Sequence, residues 1–259
     1  MKIIRAPTLA RAHELAVTRI LEKGRKRKTE NSEETVETDE IALRVENPLA
    51  EPMASSASRF GRSFLDCYAD DLIYGSDAIF EYDYHSRLFD WGQGLMIGEG
   101  EMNKDAVHTN QIAYIIRKLQ DDPVSRRAVA VTWNPPVDEN LDDCPCLQLV
   151  QCIIRQGLEE EEQRYLDMKV VFRSNDMLSA AGANMYALAR LQEYITSTVA
   201  EGVSFDVSVG AYTHISLVPH IYYRRDAADI PRFCGEGKLI RPQQIVCSAC
   251  KGCQRGTDI

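Results

Sequence analysis

The chain has 259 residues, of which 44% are hydrophobic and 27% charged, and its formal net charge is −9. This composition is typical of a globular protein that can bury its core in one domain, and the acidic excess disfavours binding to nucleic acid polymers. The sequence shows no secretory signal pattern and no membrane-spanning apolar run, and its eight cysteines are too few for a disulfide scaffold, so we expect a cytoplasmic protein with reduced thiols.

The first part of the chain shows helical and extended patterns in turn. Thr8 can cap a helix whose apolar residues recur at helical spacing and which ends at Gly24. Segment 25–40 has almost no apolar residues and is predicted to be a charged loop, in which the run "RKRK" is more typical of a solvated surface than of a phosphate site. A strand is predicted at 41–46 and an amphipathic helix at 60–75.

The middle of the chain is predicted to be mostly extended. Segment 80–89 alternates aromatic and polar residues, as a half-exposed strand does, and 104–119 is predicted to be a third helix. Strands follow at 128–133, 147–155 and 166–174. An acidic loop separates the last two, which indicates an antiparallel hairpin.

The last third is built around one apolar helix. Segment 181–200 is apolar on nearly every face, which predicts a central buried helix, and a strand follows at 203–216. A helix buried against a sheet assigns the chain to the α/β (α+β) class. We expect a single domain over residues 1–259, with a cysteine-rich tail at 234–259.

Four motifs identify a family when they are taken together. They are "SRRAVAVTWNPPVD" (125–138), "DCPCLQLVQ" (143–151), "FRSNDMLSAAGANMYALARLQEYI" (172–195) and "PHIYYRR" (219–225). In order and approximate spacing they resemble the thymidylate synthase family, over about residues 80–225, and look most like its divergent archaeal branch. The resemblance implies the thymidylate synthase fold, with a mixed, mostly antiparallel sheet packed with helices, and a sheet-to-sheet homodimer.

The family's chemistry begins with a cysteine. A thiolate that adds to carbon 6 of uracil creates an enolate, which can attack a one-carbon electrophile. The family nucleophile follows a proline, which here selects Cys146 and leaves its neighbour Cys144 without a role, although an isolated cysteine of this kind is more often a buried structural thiol. A thiol of ordinary pKa needs nearby cations. We expect Arg126, Arg127 and Arg173 to supply them from the same end of the sheet.

The resemblance also implies how the nucleotide is held. Arg126 and Arg127 resemble the pair that reaches across the dimer to the phosphate in the other subunit, so that active sites are shared. Arg173 and Ser174 resemble the pair that holds the same phosphate from within the subunit. Asn184 resembles the asparagine that reads the pyrimidine edge; its amide can donate to the uracil oxygen and accept from the ring N–H, which favours dUMP over a cytosine nucleotide.

Further positions resemble family residues that contact the sugar, assist proton removal or bind the pterin. His220 and Tyr222 resemble the pair that contacts the sugar 3′-hydroxyl, and Tyr84 resembles a tyrosine implicated in proton removal. Asp176 resembles the aspartate that hydrogen-bonds the pterin ring. The implied cosubstrate is a methylene-tetrahydropterin of the tetrahydrofolate or tetrahydromethanopterin type.

The sequence departs from the family pattern on the pterin side. Leu147 replaces the histidine that commonly follows the nucleophile, Phe172 replaces the glutamine before Arg-Ser, and "SAAGAN" replaces the family's Leu-Gly-x-Pro-Phe-Asn. No tryptophan-rich helix is evident in the sequence, and Glu46 and Glu51 are candidates for the catalytic glutamate by order alone. The pocket for the carbon donor is therefore expected to be remodelled.

The spacing of the cysteines in the tail is typical of a metal site. Cys247, Cys250 and Cys253, together with Cys234, have the number and spacing of thiolates that hold zinc or an iron–sulfur cluster. A flexible cysteine-bearing tail and a disulfide are the alternatives. The family resemblance implies no obligatory metal.

Three functions remain open from the sequence. The first is a methyltransferase, a thymidylate synthase that converts dUMP to dTMP with a reduced pterin. The second is a dUMP or dCMP hydroxymethylase, in which water quenches the same exocyclic methylene intermediate. The third is a non-catalytic thiol or metal-binding module. The first fits the motifs best; it predicts dUMP, a reduced pterin and a second copy of the chain as partners, with no nucleic acid polymer and no membrane.

Overall fold

The computed structural model describes residues 1–76, 83–91, 96–97, 101–102, 108–155 and 163–234. The helices are α1 (Leu9–Lys23), α2 (Arg62–Tyr74), α3 (Tyr84–Phe89), α4 (Gln111–Asp121), α5 (Pro135–Asp138), α6 (Ala181–Glu201) and α7 (Ile230–Cys234). The strands are β1 (Lys2–Ala6), β2 (Arg25–Lys28), β3 (Glu34–Glu37), β4 (Ile41–Val45), β5 (Met96–Ile97), β6 (Glu101–Met102), β7 (Val129–Val131), β8 (Leu147–Arg155), β9 (Arg164–Phe172), β10 (Asn175–Asp176), β11 (Val207–Ser216) and β12 (Pro219–Ile221).

A six-stranded mixed sheet forms the centre of the structure, in the order β1-β4-β11-β9-β8-β7. The pairs β1-β4 and β9-β11 are parallel, and the remaining neighbours are antiparallel. The predicted hairpin is present as β8 and β9. A mixed, mostly antiparallel sheet packed with helices is thereby confirmed.

Helix α6 is the central buried helix that its sequence predicts. Its buried residues lie all around the helix, from Ala181 to Val199. Gln192, in the middle, is fully buried and donates hydrogen bonds to the carbonyls of Leu166 and Gly210 at 2.8 and 3.2 Å. Because these carbonyls belong to β9 and β11, the amide nitrogen of Gln192 links the helix to the sheet, whereas its Oε1 atom has no hydrogen-bond partner among the described residues.

The charged segment 25–40 is not a loop, and this prediction is wrong. It forms a hairpin of β2 and β3, and β3 pairs in turn with β12 in a second sheet of order β10-β12-β3-β2. Val36 and Thr35 are buried in β3, whereas every residue of β2 is exposed. An edge strand of four basic residues has no apolar periodicity, and such charge is a common way to protect a sheet edge.

Segment 80–89 contains a helix rather than the predicted strand. Residues 80–82 lie outside the described ranges, and α3 begins at Tyr84. The side chain of Asp83 accepts a hydrogen bond from the Ser86 backbone N–H at 2.7 Å, so it caps the helix. This local cap outweighs the alternating pattern of aromatic residues. Within the described ranges, no helix has both the length and the apolar character that crossing a bilayer requires.

Candidate active site

The loop before β8 carries Cys146, and Arg173 holds that loop in place. The backbone N–H of Arg173 donates to the Cys146 carbonyl at 2.8 Å. Its guanidinium donates through Nε to the carbonyl of Pro145 at 3.0 Å and through Nη2 to that of Cys144 at 2.7 Å. Arg173 thus positions Cys146 through its backbone and the two preceding residues through its guanidinium.

The pKa of the half-buried Cys146 thiol is raised above its ordinary value. Burial is the largest cause and the charges of Asp143 and Cys144 add to it, whereas the positive charge of Arg173 lowers the pKa. Cys144 differs from Cys146 in its contacts. Its Sγ donates to the carbonyls of Asp138 and Leu141 at 3.0 and 3.3 Å, so the thiol is directed toward the backbone of the preceding residues. Cys152 is fully buried, and burial raises its pKa to about 12, so it is a structural thiol.

Arg126 and Arg127 do not share the Cys146 end of the sheet within one subunit, and this expectation is wrong. They precede β7, which runs antiparallel to β8 with Val129 opposite Gln151. The Gln151 side chain donates to the Arg126 carbonyl at 3.1 Å. At about 3.3 Å per residue, the strand between Gln151 and Cys146 is roughly 17 Å long. Both arginine side chains are exposed at this distant end.

Helix α3 also contacts the segment that carries Cys146. The Tyr84 hydroxyl accepts a hydrogen bond from the backbone N–H of Leu147, the residue after Cys146, at 3.1 Å. Arg87 of the same helix forms a buried ion pair with Asp138 at 2.6 Å. Since the Asp138 carbonyl also accepts from the Cys144 thiol, α3 and the Cys146 loop are fixed to each other.

The start of α6 follows directly from Asp176. The Ala180 N–H donates to the Asp176 carbonyl and the Asn184 N–H to the Ala180 carbonyl, each at 3.0 Å. Burial acts to raise the pKa of Asp176, but hydrogen bonds from Ser179 and Arg225 outweigh it and the pKa is lowered. Asp176 is therefore an ionised hydrogen-bond acceptor at the edge of the site.

Asn184 has a partner that the sequence did not reveal. Its side-chain oxygen accepts a hydrogen bond from the Tyr68 hydroxyl on α2 at 2.9 Å. Burial raises the pKa of Tyr68 to about 12, so the hydroxyl stays protonated and keeps donating. The available signal was the amphipathic pattern that predicts a helix at 60–75, in which Tyr68 occupies a position of the apolar face.

His220, Tyr222 and Ser174 lie together. The Nδ1 atom of His220 is 3.3 Å from the Ser174 hydroxyl, and the rings of His220 and Tyr222 meet edge to face at 5.0 Å between centroids. Burial raises the pKa of Tyr222, and Asp176 and Cys146 act on it in the same direction. Ser174 follows Arg173 in the chain, so this group borders the Cys146 loop.

The two glutamates proposed by order lie in ion pairs at the surface. Glu46 contacts Arg44 at 2.7 Å and Arg5 at 3.3 Å, and Glu51 contacts Arg62 at 2.7 Å. A hydrogen bond from Arg44 is the largest cause that lowers the pKa of Glu46, and the charges of Arg44 and Arg5 add to it. A hydrogen bond from the Met53 backbone, followed by one from Arg62, lowers the pKa of Glu51. Such stabilised carboxylates are poor general acids, so the structure gives no support to either candidate.

The cysteine-rich tail is mostly beyond the described part of the chain. Cys247, Cys250 and Cys253 lie outside the described ranges, and Cys234 is the last residue of α7. Among the described residues, no group of three or more histidine, cysteine and carboxylate side chains could hold a metal ion. The metal site thus remains a sequence-based prediction.

Replacing Arg173 by methionine is expected to shift the alkylation of Cys146 by iodoacetamide to higher pH. The guanidinium lowers the pKa of this thiol, so its loss raises the pKa, and the reactive thiolate then forms only at higher pH. The measurement is the rate of modification of the Cys146 peptide by mass spectrometry across pH 7 to about 10.

Arg173→Lys is the matched control, because it keeps the charge and should keep the profile near that of the wild type. An unchanged profile in Arg173→Met, or a shift to lower pH, would contradict the electrostatic role assigned to this arginine.

Comparison with known proteins places these residues in a family. A model of the family described as thymidylate synthase matches residues 73–229, a range that includes Tyr84, Cys146 and Asn184 but not Tyr68. A relative from Methanocaldococcus jannaschii, named "Putative thymidylate synthase", is 36% identical over 241 residues, covering 91% of this chain and 97% of the relative. Relatives of the same name from Methanosarcina acetivorans and Methanosarcina mazei are 32% and 33% identical, each covering 85% of this chain and 89% of the relative.

Proposed function

We propose that this chain, which belongs to the thymidylate synthase family, methylates dUMP at carbon 5 to give dTMP in the cytoplasm, with a reduced methylene-pterin as the carbon donor. The observation that carries the proposal is the arrangement around Cys146. Arg173 holds the loop through three hydrogen bonds, and Tyr84 binds the next backbone N–H. A half-buried thiol with one cation beside it suits a nucleophile that must be activated but protected from water.

The reaction starts with the addition of the Cys146 sulfur to carbon 6 of the uracil ring. The electron pair of the carbon 5–carbon 6 double bond moves toward the carbonyl oxygen at carbon 4, where the Asn184 amide donates a hydrogen bond to the developing enolate. Carbon 5 then bonds to the methylene carbon of the pterin. Tyr84 assists removal of the carbon 5 proton, and the bond between the methylene carbon and the pterin nitrogen breaks, so that the tetrahydropterin leaves as an amine. A hydride from the tetrahydropterin, which becomes a dihydropterin, adds to the exocyclic methylene, and the Cys146 sulfur leaves as the carbon 5–carbon 6 double bond forms again.

Asn184 is suited to select uracil because Tyr68 fixes its orientation. A hydroxyl donor on the side-chain oxygen leaves the amide nitrogen, which carries two hydrogens, to face a carbonyl oxygen. Cytosine has an amino donor at carbon 4 in place of that oxygen, so two donors would meet. This argument supports dUMP over dCMP, and methylation over a reaction on a cytosine nucleotide.

A shared active site explains where Arg126 and Arg127 lie. In their own subunit they are roughly 17 Å along the strand from Cys146 and exposed to solvent. If two subunits pair face to face through their sheets, each arginine pair can reach the nucleotide phosphate of the partner. We therefore propose a homodimer in which these arginines, together with Arg173 and Ser174, hold the phosphate.

The pterin end of the site differs from the usual family pattern. Asp176 is the residue proposed to hold the pterin ring, and its ionised carboxylate is also bound by Arg225, which stacks over the Tyr222 ring at 4.3 Å. Its lone pairs suit N–H donors of a pterin, which both tetrahydrofolate and tetrahydromethanopterin carry. Small side chains in the segment 179–184 favour a donor other than ordinary folate.

The identity of the product tests this function. Purified protein is incubated with dUMP and either methylene-tetrahydrofolate or methylene-tetrahydromethanopterin, and the nucleotide is analysed by mass spectrometry. We expect dTMP with at least one donor. A 5-hydroxymethyl product would identify a hydroxymethylase instead. The absence of any product with either donor, in protein shown to bind dUMP, would contradict both activities.

Replacing Tyr68 by phenylalanine is expected to reduce kcat/KM for dUMP by about tenfold, the effect of about 1.4 kcal/mol lost when one buried hydrogen bond to Asn184 is missing. Discrimination against dCMP should fall as well, because the freed amide can rotate. A merely structural role would lower the activity without changing the discrimination.

Tyr74→Phe is the matched control, since Tyr74 lies on the same helix and is 72% exposed. It should behave as the wild type does. Equal effects of the two substitutions would show that Tyr68 has no special role in positioning Asn184.

A further inference from the structure

A basic cavity is lined by residues other than those around Cys146. Its volume is about 270 Å³, and its lining includes residues of α1, β1 and the β2-β3 hairpin. We call its basic residues, Lys2, Arg19, Lys23, Arg25 and Arg27, the cationic pocket. Glu37 and Asp39 also line the cavity, so the positive side chains outnumber the negative ones.

The geometry of β2 places two of these basic side chains on the same face of the strand. Arg25 and Arg27 are two residues apart on β2 and therefore point to the same face, whereas Lys26 between them lies over the Tyr223 ring at 5.1 Å. Glu37, opposite Arg25, accepts a hydrogen bond from the Thr35 hydroxyl at 2.8 Å. Among the described residues, no carboxylate forms an ion pair with any member of the cationic pocket.

The Arg19 side chain contributes charge to the cavity that the protein does not fully compensate. Its Nε atom is buried, and no polar atom of the described residues accepts a hydrogen bond from it. Buried donors in proteins are nearly always paired. An anion in the cavity would offset the repulsion among the neighbouring cations, including the Arg19 guanidinium.

The chemistry of the lining selects the kind of anion. Guanidinium groups bind phosphate oxygens in a bidentate manner, and the volume is near the lower end of small-molecule sites, which start at about 300 Å³. The described lining contains no aromatic ring on which a base could stack. A long polyanion would also meet the acidic remainder of a chain whose net charge is −9, whereas a compact one contacts the pocket alone.

We propose that the cationic pocket is a binding site for a compact phosphate-bearing anion, either an inorganic polyphosphate or the phosphate end of a small ester. None of its lining residues is one of those proposed to hold dUMP, although Glu37 of the lining lies opposite His220 in the second sheet. Binding there stabilises the hairpin of β2 and β3 against α1.

Isothermal titration calorimetry of the full chain with pyrophosphate, and in a second arm with a nucleoside triphosphate, tests the proposal at low salt. We expect saturable binding that weakens at least about tenfold in Arg19→Met and in Arg25→Met. Arg117→Met is the control, because Arg117 is an exposed arginine of α4. Arg25 is exposed on an edge strand, so its variant remains informative if Arg19→Met does not fold.

The site must also be independent of catalysis. Binding should persist in Cys146→Ser and with dUMP present at saturation, which separates this proposal from the proposed function. Comparable affinities in the two arms would assign the occupant as inorganic, and tighter binding of the triphosphate would assign it as an ester. The proposal would be overturned if pyrophosphate and the triphosphate gave no saturable binding, if Arg117→Met lost as much affinity as the pocket variants, or if dUMP displaced the anion. Tighter binding of a single-stranded RNA, titrated as a third arm, would also overturn it.

Discussion

Replacing Cys146 by serine is expected to lower the rate of dTMP formation by at least about 10³-fold, because a hydroxyl of nearly the same shape cannot replace a thiolate as the nucleophile. The fold should be retained, since the loop is held by backbone carbonyls that the substitution leaves in place. The measurement is single-turnover conversion of dUMP, together with dUMP affinity, which should change little.

Cys144→Ser provides the matched control two residues away. The Cys144 sulfur already donates to backbone carbonyls, a contact that a serine hydroxyl can also make. This variant should keep most of the activity. If Cys144→Ser were inactive and Cys146→Ser active, the assignment of the nucleophile would have to be reversed.

Mixing two inactive variants is expected to restore about a quarter of the wild-type activity. One variant carries Arg126→Ala and Arg127→Ala, and the other carries Cys146→Ala. Random exchange of subunits makes about half of the dimers mixed, and one of the two sites in each mixed dimer then has an intact cysteine and intact arginines. The measurement is dTMP formation after the subunits have exchanged, compared with each variant alone.

Arg173→Met is the control for this experiment. Arg173 contacts the Cys146 loop of its own subunit, so a mixture of Arg173→Met with Cys146→Ala should regain no activity. Failure of the first mixture to regain activity, with subunit exchange verified by native mass spectrometry, would show that the arginines act within their own subunit or not at all.

The sequence predicted those elements in which the pattern and the environment agree. Helix α1 begins after Thr8, whose side chain accepts from the Arg11 N–H, and ends at Gly24 as expected. Strands β8 and β9 pair as predicted, and the apolar run of α6 forms the buried helix. In each case the local sequence pattern and the tertiary contacts favour the same structure.

The sequence failed where a distant partner determines the structure. Strand β2 consists of four exposed basic residues, and only pairing with β3 makes it a strand. The end of the sheet at which Arg126 lies depends on the antiparallel register of β7 and β8. No local sequence pattern predicts this register. The Tyr68 hydroxyl donates a hydrogen bond to Asn184, which lies on another helix 116 positions away. The amphipathic pattern around Tyr68 predicts only a helix and does not indicate this polar contact.

The most direct test of the account is covalent trapping with 5-fluoro-dUMP and a methylene-pterin, followed by intact-protein mass spectrometry. Fluorine cannot leave as a cation, so the ternary intermediate should accumulate on Cys146. We expect the protein mass to increase by the sum of the nucleotide and the pterin, and peptide mapping should locate the modification at Cys146. Protein that gains no adduct with either folate or methanopterin donors, or that gains it on another cysteine, would contradict the central claim.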